Sequence, residues 1–469
     1  MSTVTPIPRA RRSKAPLVIP AAILDSDVAN GRRLARRHGD DIRFTIERGF
    51  MTWDGRRWAP DSKGVAVAAM AKDTALAMFD EIKDSPPEQR DALYHNARQS
   101  QSKTRLEAMI WCMRSEPGIP ASLNDFDADP WLLNVANGTV DLRTSELRAH
   151  QRADLISNLV EVVFDPGADC ELWDAFLWRV TDRNEELYAY LRRFVGYLLA
   201  GDVSEQALHF LYGLGANGKS VFCEVVLRLL GDYAVTVSPD LIMLRRHSGI
   251  PNDVARLRGV RAAVMNETSQ GARFDEAKLK DLTGGDTLNA RFLHQEFFDF
   301  KPTHRIVIRG NYKPAITGTD EGIWRRLRLV PFAVTIPPEE RDRDLLGKLE
   351  AELPGILNWA LAGCREWQAD GLKPPAIVTE AVRRYRDESD TLGRFIAECC
   401  VVRALAQVKS SALFQVYQKF CEQAGERWIA AKGFPEELER RGYLWKRTKT
   451  GGMFYGLELA IEPSPWEQR

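Results

Sequence analysis

The sequence has no net charge, few cysteines and no long apolar run. Its 469 residues include 65 basic and 65 acidic side chains, so the overall charge does not indicate a nucleic-acid partner, and any such surface has to be a local patch. No stretch approaches the roughly 18 apolar residues of a membrane span. A signal peptide requires an apolar core after its basic residues, and no such core follows the basic N-terminal residues here. We therefore expect a cytoplasmic protein with no membrane partner.

The seven cysteines are scattered along the chain and odd in number. They form no C-x-x-C pair and no His/Cys cluster with zinc spacing. We expect buried, reduced thiols rather than disulfides or a zinc site.

The residue pattern divides the chain into several segments, in keeping with a length of about three domains. Residues 1–40 predict a basic tail, either solvated or in contact with nucleic acid. Residues 41–200 combine hairpin signals at Asp54-Gly55 and Asn137-Gly138 with helical stretches, as in a mixed α/β domain. Residues 201–345 predict an α/β core, 346–406 a helical segment, and 407–469 a winged helix-turn-helix.

The α/β core is predicted from short apolar runs that alternate with helical stretches, a pattern typical of a parallel sheet with crossovers. The predicted strands are residues 207–212, 261–265, 305–308 and 327–332.

The strongest motif is GLGANGKS at residues 213–220, which matches the phosphate-binding loop G-x-x-x-x-G-K-[ST] between a strand and a helix. Glycines let backbone N–H groups wrap the phosphates, the lysine reaches the β and γ oxygens, and the hydroxyl ligates Mg²⁺ at a helix N-terminus. The loop predicts binding of ATP and Mg²⁺, with Ser220 as a metal ligand. The residues expected to bind ATP are Gly213, Gly215, Ala216, Asn217, Gly218, Lys219 and Ser220.

Three further features follow the phosphate loop along the chain, and each supplies a kind of side chain that ATP hydrolysis uses. Glu267 comes at the end of the second strand, where a carboxylate can polarise the attacking water and help hold Mg²⁺, although it could also be a capping or surface residue. Asn311 follows the third strand and could orient that water, or simply form a turn. Arg325 and Arg326 precede the fourth strand; an arginine supplied by a neighbouring subunit stabilises phosphoryl transfer, whereas paired arginines are often ordinary surface charge.

The order and spacing of these motifs resemble the superfamily 3 helicases, most closely the phage and plasmid primase-helicase family that includes the poxvirus helicase-primase. The matching segments are residues 213–220, the strand ending in Glu267, 279–286 with Ala290-Arg291, Asn311 with Pro314, and 324–327 with Pro331-Phe332. Residues 137–142 and 194–197 extend the resemblance upstream.

The resemblance implies an ATP-dependent DNA helicase with an AAA+-like core that acts as a ring, commonly a hexamer, in replication of a phage, prophage or plasmid element. It also implies roles for individual residues: Lys219 and Ser220 in binding ATP and Mg²⁺, Glu267 as the catalytic carboxylate, Asn311 as the sensor, and Arg326 or Arg325 as the finger from the adjacent subunit.

Superfamily 3 motors also carry a hairpin that projects into the channel and grips DNA. The resemblance assigns it to residues 291–301, with His294 near the tip and Lys280 and Arg291 close by. The phenylalanines of this segment could equally face the core of the domain, and both interpretations can hold.

Residues 410–461 pair two helical stretches with a hairpin, as in a winged helix-turn-helix. The basic residues around its second helix and wing predict DNA binding, an oligomer contact or a solvated face: Arg440, Arg441, Lys446, Arg447 and Lys449.

Asp125, Asp127 and Asp129 form the only acidic run that could serve a primase. Pro130 does not suit a calcium loop. We expect no primase active site, and a separate primase is a candidate partner. The alternative function is a P-loop ATPase that binds DNA as a regulator or scaffold without unwinding it; a small-molecule kinase is a third.

Overall fold

The computed structural model describes residues 24–244, 252–266, 271–292, 296–316, 321–449 and 451–460. Several sequence predictions fall outside these ranges. They concern Glu267, His294 and the first basic residues of the expected tail, Arg9, Arg11, Arg12 and Lys14.

The N-terminal part of the described chain mixes helices with two antiparallel three-stranded sheets, β1-β2-β3 and β4-β5-β6. Both predicted turns are present, since Trp53 pairs with Trp58 and Val135 pairs with Gly138. The elements are α1 (Asp27–His38), β1 (Ile42–Thr45), β2 (Gly49–Trp53), β3 (Trp58–Pro60), α2 (Val65–Lys83), α3 (Pro87–Gln99), α4 (Lys103–Met113), β4 (Leu132–Val135), β5 (Gly138–Asp141), β6 (Glu146–Arg148), α5 (Glu171–Val180) and α6 (Glu185–Leu199).

The expectation of a basic tail up to residue 40 was wrong for residues 27–38, which form helix α1. The side chain of Ser26 caps this helix by accepting a hydrogen bond from the backbone N–H of Ala29. Arg33 is buried and donates to Glu81 at 2.8 Å, and Arg37 donates to Asp73 at 2.6 Å. These arginines fasten α1 to helix α2.

A five-stranded parallel sheet in the order β13-β7-β12-β9-β8 confirms the predicted α/β core. The fifth strand, β8, was not predicted, because it is only four residues long and lies half-buried at the sheet's edge. The elements are β7 (Leu208–Tyr212), α7 (Lys219–Leu230), β8 (Ala234–Val237), α8 (Asn252–Ala255), β9 (Ala262–Asn266), α9 (Glu276–Gly284), β10 (Leu288–Ala290), β11 (Phe298–Phe300), β12 (Arg305–Gly310), α10 (Glu321–Trp324) and β13 (Leu327–Pro331).

The register of the sheet fixes which motifs share an edge. Tyr212 pairs with both Gly310 and Pro331 at the carboxyl edge, and Leu208 pairs with Leu327 near the amino edge. A parallel strand of five residues spans about 13 Å from its first to its last Cα. Residues that follow β7 and β12 therefore meet at one edge, and residues that precede β13 lie at the other.

The C-terminal part has the helix, helix, hairpin order predicted for a winged helix, in α15, α16 and β15–β16. The expectation of helix up to residue 406 was wrong, because the valine-rich residues 400–409 form strand β14 and pair with β16. The elements are α11 (Leu345–Ala351), α12 (Leu353–Asp370), α13 (Ala376–Ser389), α14 (Thr391–Cys399), β14 (Cys400–Lys409), α15 (Ser410–Ala424), α16 (Gly433–Arg440), β15 (Leu444–Thr448) and β16 (Gly451–Leu459).

Two general expectations concern cysteines and membrane spans. All seven cysteines are free thiols, four of them buried and three partly exposed. No helix within the described ranges is long and apolar enough to cross a membrane.

Candidate active site

The phosphate-binding motif forms a loop between the carboxyl end of β7 and the first turn of α7. Gly218 precedes α7 with a φ of 86°, and a Cβ atom there would lie 2.6 Å from Cγ1 of Val180. A Cβ atom on Gly213 would lie 2.2 Å from the carbonyl oxygen of Phe332. Both positions therefore require glycine, whereas a Cβ on Gly215 would meet nothing within 4 Å.

Hydrogen bonds connect the loop to the segment that follows β13. The side-chain amide of Asn217 donates to the carbonyl oxygens of Leu214 and Phe332, each at 3.0 Å. The backbone N–H of Ile336 donates to the carbonyl oxygen of Ala216 at 2.8 Å. Asn217 is thus a buried support of the loop.

Lys219 is nearly buried, and its ammonium group points back into the loop. Its Nζ atom donates to the carbonyl oxygen of Gly213 at 2.7 Å, to Oδ1 of Asn217 at 3.0 Å and to Oδ1 of Asn311 at 3.2 Å. The lysine is therefore ordered beside the loop and in contact with the residue expected to act as a sensor.

The chemistry of the loop fits a phosphate group and a hard cation. Within the described part of the chain, no acceptor takes the backbone N–H groups of residues 214–218. Such N–H groups at a helix N-terminus, next to an ammonium group, attract anions. Ser220 is exposed in the first turn of α7, where its hydroxyl can ligate Mg²⁺.

Asn311 follows β12 at the same carboxyl edge, as predicted from its place after the third strand. Asn266, the last residue of β9, is in register with Arg309 and is exposed at that edge. The expected carboxylate Glu267 is the next residue and lies outside the described ranges.

Arg309 is a residue of this edge that the sequence analysis missed. Its Nη1 atom donates to the carbonyl oxygen of Ser220 at 3.5 Å and lies 3.6 Å from Oε1 of Glu224. It connects β12 to the first turns of α7. The available signal was its position as a polar residue near the end of an apolar strand.

Arg325 and Arg326 lie at the amino edge of the sheet, opposite their own chain's phosphate loop. The carbonyl oxygen of Arg326 accepts from the backbone N–H of Leu208, at the start of β7. The two side chains differ in exposure, because Arg325 is exposed whereas Arg326 is 8% exposed. Arg326 donates to Oγ1 of Thr283 at 3.1 Å and to the carbonyl oxygen of Gly322 at 2.8 Å.

The expected channel hairpin is an antiparallel pair, β10 with β11. Its base is packed, since Phe298 and Phe300 are buried, whereas Phe297 is 55% exposed. The Arg291 guanidinium lies 4.9 Å from the Phe297 ring centroid. Lys280 is half-buried on α9, the helix that leads into the hairpin. The segment therefore combines an apolar base with a cationic and aromatic outer part.

The basic residues of the C-terminal region are not equivalent. Arg441 forms a two-pronged ion pair with Asp390, at 2.8 and 2.6 Å, which ties α16 to α14. Burial lowers the affinity of this guanidinium for its proton, but the bonds to Asp390 raise its pKa overall. Arg440, Lys446, Arg447 and Lys449 are exposed.

The acidic run at 125–129 does not converge on one point. Asp125 accepts from the backbone N–H of Ser122, Asp127 from that of Ser157, and Asp129 from that of Trp131. Over the described ranges, no group of three or more His, Cys, Asp or Glu side chains is arranged to hold a metal ion. The expectation that the chain has no primase active site stays a prediction.

Two segments of the chain match protein families. Residues 31–182 match the family described as D5 N terminal like, and residues 211–326 match a family of unknown function, DUF5906. The second match begins within β7 and ends at Arg326. It therefore encloses the phosphate loop, Asn311 and both arginines.

Viral proteins are similar in sequence to this chain. "Putative helicase L207/L206" of Acanthamoeba polyphaga mimivirus is 26% identical over 355 residues, covering 71% of this chain and 36% of that protein. "Putative helicase 022R" of Frog virus 3 is 32% identical over 232 residues, covering 45% of this chain and 23% of that protein. The matched region is thus well under half the length of either relative.

A solved structure of the C terminal region of NrS-1 covers 77% of this chain and 90% of that chain, with a TM-score of 0.46 and 10% identity. A second structure of that region covers 88% and 94%, with a TM-score of 0.47. This likeness is too distant to carry a functional argument.

Proposed function

We propose that this chain is an ATP-dependent DNA helicase of superfamily 3 type, a replication protein, in keeping with its match to the family described as D5 N terminal like and its similarity to viral putative helicases. The observation that carries the proposal is the arrangement of two motifs on one sheet. The phosphate loop follows β7 at the carboxyl edge, and Arg325 and Arg326 precede β13 at the amino edge. Arginines placed there cannot complete their own chain's ATP site, but they can complete that of a neighbouring subunit.

ATP and Mg²⁺ are the cofactors that the proposal requires. The loop's N–H groups and Lys219 would hold the phosphates, and Ser220 with Glu267 would hold Mg²⁺. The bound metal neutralises charge on the transferring phosphoryl group. Glu267 is the proposed base for the attacking water, and Asn311 the proposed sensor. Support for the latter comes from its contact with Lys219.

The proposal requires a homo-oligomer, since the phosphate loop and the arginines come from different subunits. We assign the finger to Arg325, because it is exposed whereas Arg326 is held inside its own chain. A ring, commonly a hexamer in this superfamily, satisfies every site. Replication of a phage, prophage or plasmid element is the proposed setting.

DNA, single-stranded or forked, is the proposed substrate. The outer part of the 291–301 hairpin offers Arg291 and Phe297, a cation and an exposed ring of the kind that contacts phosphates and stacks on bases. Lys280 and His294 are proposed to assist. The exposed basic residues of the winged helix are a second proposed contact, and a separate primase is a candidate partner.

The test is to measure ATP hydrolysis with and without forked DNA, together with strand separation, for the purified chain and two lysine variants. Lys219→Ala should abolish both activities, whereas Lys83→Ala, an exposed position on α2, should leave them unchanged. Hydrolysis stimulated by DNA without strand separation would favour the regulator or scaffold. Primer synthesis by the chain alone would contradict the expected lack of primase activity.

A further inference from the structure

A glutamine outside the recognised motifs contacts both arginines. Gln206 lies in the segment between α6 and β7. Its Oε1 atom accepts from Nη2 of Arg326 at 3.4 Å and from Nη2 of Arg325 at 3.5 Å. Its Nε2 atom donates to the carbonyl oxygen of Gly284 at 3.0 Å. One amide thus joins the arginine pair to the end of α9.

The backbone of Gln206 has a φ of 46°, in the left-handed region that residues with a Cβ atom rarely occupy. Its N–H donates to the carbonyl oxygen of Val203 at 3.0 Å and closes a tight turn. The turn directs the side chain toward the arginines immediately before β7 begins. Such backbone outliers cluster at functional sites, where neighbouring contacts maintain them.

Arg326 is oriented by several partners. Its Nε atom donates to Oγ1 of Thr283 at 3.1 Å, and that hydroxyl in turn donates to the carbonyl oxygen of Leu279 at 2.6 Å. Because the Thr283 proton is committed to Leu279, the lone pairs of its oxygen face the guanidinium. Arg328 donates to the carbonyl oxygen of Arg325 at 2.6 Å and fixes the backbone there.

Among the described residues, no carboxylate forms an ion pair with Arg325, so these contacts orient its guanidinium without neutralising it. Its partner at 3.5 Å is an amide oxygen, which carries no formal charge and forms a weak bond at that distance. A carboxylate in the same position would form a charged pair and compete with a phosphate for the guanidinium. An uncharged amide can therefore orient the Arg325 guanidinium without preventing it from binding a phosphate.

The contacts of Gln206 and Arg326 at the end of helix α9 also lie close to the 291–301 hairpin. Thr283 and Gly284 end helix α9, Gly285 caps it with a φ of 86°, and strand β10 begins at Leu288. The atoms that hold the arginines therefore lie within five residues of the hairpin's first strand. A shift of the arginines toward a neighbour's ATP would therefore also displace the base of that hairpin.

We propose that Gln206 is a positioning residue of the shared ATP site, holding Arg325 ready for the neighbouring subunit through a network that includes Arg326 and Thr283. This inference rests on the proposed function. It assigns to Gln206 an effect on the neighbour's ATP site and none on its own, because its own phosphate loop is at the opposite edge of the sheet.

The experiment uses co-assembled oligomers of the full chain. Gln206→Leu removes all three hydrogen bonds of the amide, and Gln206→Glu keeps the shape but adds the competing charge. Each variant alone should lower kcat for ATP at least tenfold while its Kd for an ATP analogue changes less than twofold. Each is then co-assembled with Lys219→Ala, whose own site is inactive but whose Gln206 and Arg325 are intact.

A positioning role predicts that the inactive Lys219→Ala subunits restore activity. A site is intact when its phosphate loop comes from the Gln206 variant and its arginines from Lys219→Ala, so roughly a quarter of sites recover in an equal random mixture. The control is Arg325→Ala co-assembled with Lys219→Ala, which should recover equally. Rescue of Arg325→Ala without rescue of either Gln206 variant overturns the inference and leaves the proposed function standing. Rescue of neither overturns the shared site itself, and wild-type turnover by both Gln206 variants alone also overturns the inference.

Discussion

The Nζ atom of Lys219 lies 3.2 Å from Oδ1 of Asn311, 92 residues later in the chain. The contact exists because β12 lies beside β7 in register, with Gly310 opposite Tyr212, so that the residues following both strands meet at one edge. The lysine proposed to bind phosphates is thereby joined to the amide proposed as the sensor of the γ-phosphate.

Asn311→Ala should lower kcat for ATP roughly 10- to 100-fold, since the loss of one positioned polar group at a reacting centre commonly costs that much or more. ATP affinity should change little, because the loop's N–H groups and Lys219 remain. Steady-state turnover and equilibrium binding of an ATP analogue measure the two quantities. Asn124→Ala, at an exposed position away from the loop, serves as the control; an equal loss of affinity and turnover would contradict the sensor role.

Two glycines of the phosphate loop should respond differently to alanine. Gly218→Ala should destabilise the nucleotide-free protein by about 1–3 kcal/mol, because it combines a left-handed backbone with a clash against Val180. Gly215→Ala should stay within about 0.5 kcal/mol of the parent, since its Cβ atom meets nothing. Denaturant unfolding without nucleotide distinguishes them. Equal stabilities would show that this loop geometry is not the one adopted.

Alanine substitutions of the two arginines should also have different effects. Arg325→Ala should lower ATP turnover about 10³-fold with stability nearly unchanged, as for an exposed finger. Arg326→Ala should instead lower stability by about 1–3 kcal/mol, because it removes the hydrogen bonds of this buried guanidinium to the Thr283 hydroxyl and the Gly322 carbonyl. Turnover and melting temperature, measured on both variants, decide between the assignments. The reverse pattern would make Arg326 the finger.

The exposed part of the hairpin should contact DNA. Arg291→Ala should weaken single-stranded DNA binding and reduce the salt dependence of log Kd by about one unit. Phe297→Ala should cost about 1–3 kcal/mol of binding with a smaller change in salt dependence, as expected for loss of a stacked base. Fluorescence anisotropy titrations at several salt concentrations measure both effects. Unchanged affinity in both variants would remove the hairpin from the DNA interface.

His209 should make stability depend on pH. It is fully buried against the Phe194 ring at 3.8 Å, and burial lowers its pKa well below the ordinary value of 6.5. The unfolded chain therefore takes up a proton that the folded chain excludes, so stability is lost as pH falls below about 6.5. His209→Phe should lose less stability than the parent as pH falls from 7.5 to 5 in urea unfolding. Equal losses in the two proteins would contradict this assignment.

The sequence was sufficient to predict features that depend on local spacing. The phosphate loop, four of the five core strands and the two N-terminal turns are specified by glycines, apolar runs and turn residues close together in the chain. The edge strand β8 lacks such a signal because only one of its four residues is buried. Strand β14 follows a helix without a break, and only its pairing with β16 distinguishes it from a continued helix.

Residues whose roles depend on distant contacts were harder to predict. Arg33 looks like part of a basic tail until Glu81 is brought beside it by helix packing. Gln206 has no motif of its own, and its contact with Arg325 appears only when β7 and β13 pair. Which arginine is buried could not be predicted for the same reason.

The most direct test of the shared ATP site is a structure, by particle imaging, of the protein bound to an ATP analogue and forked DNA. The account predicts a closed ring in which the Arg325 guanidinium of one subunit contacts the γ-phosphate held by Lys219 of the next, with DNA passing the 291–301 hairpin. A monomer that hydrolyses ATP at full rate at high dilution, or a ring in which both arginines face away from the neighbour's nucleotide, would contradict it.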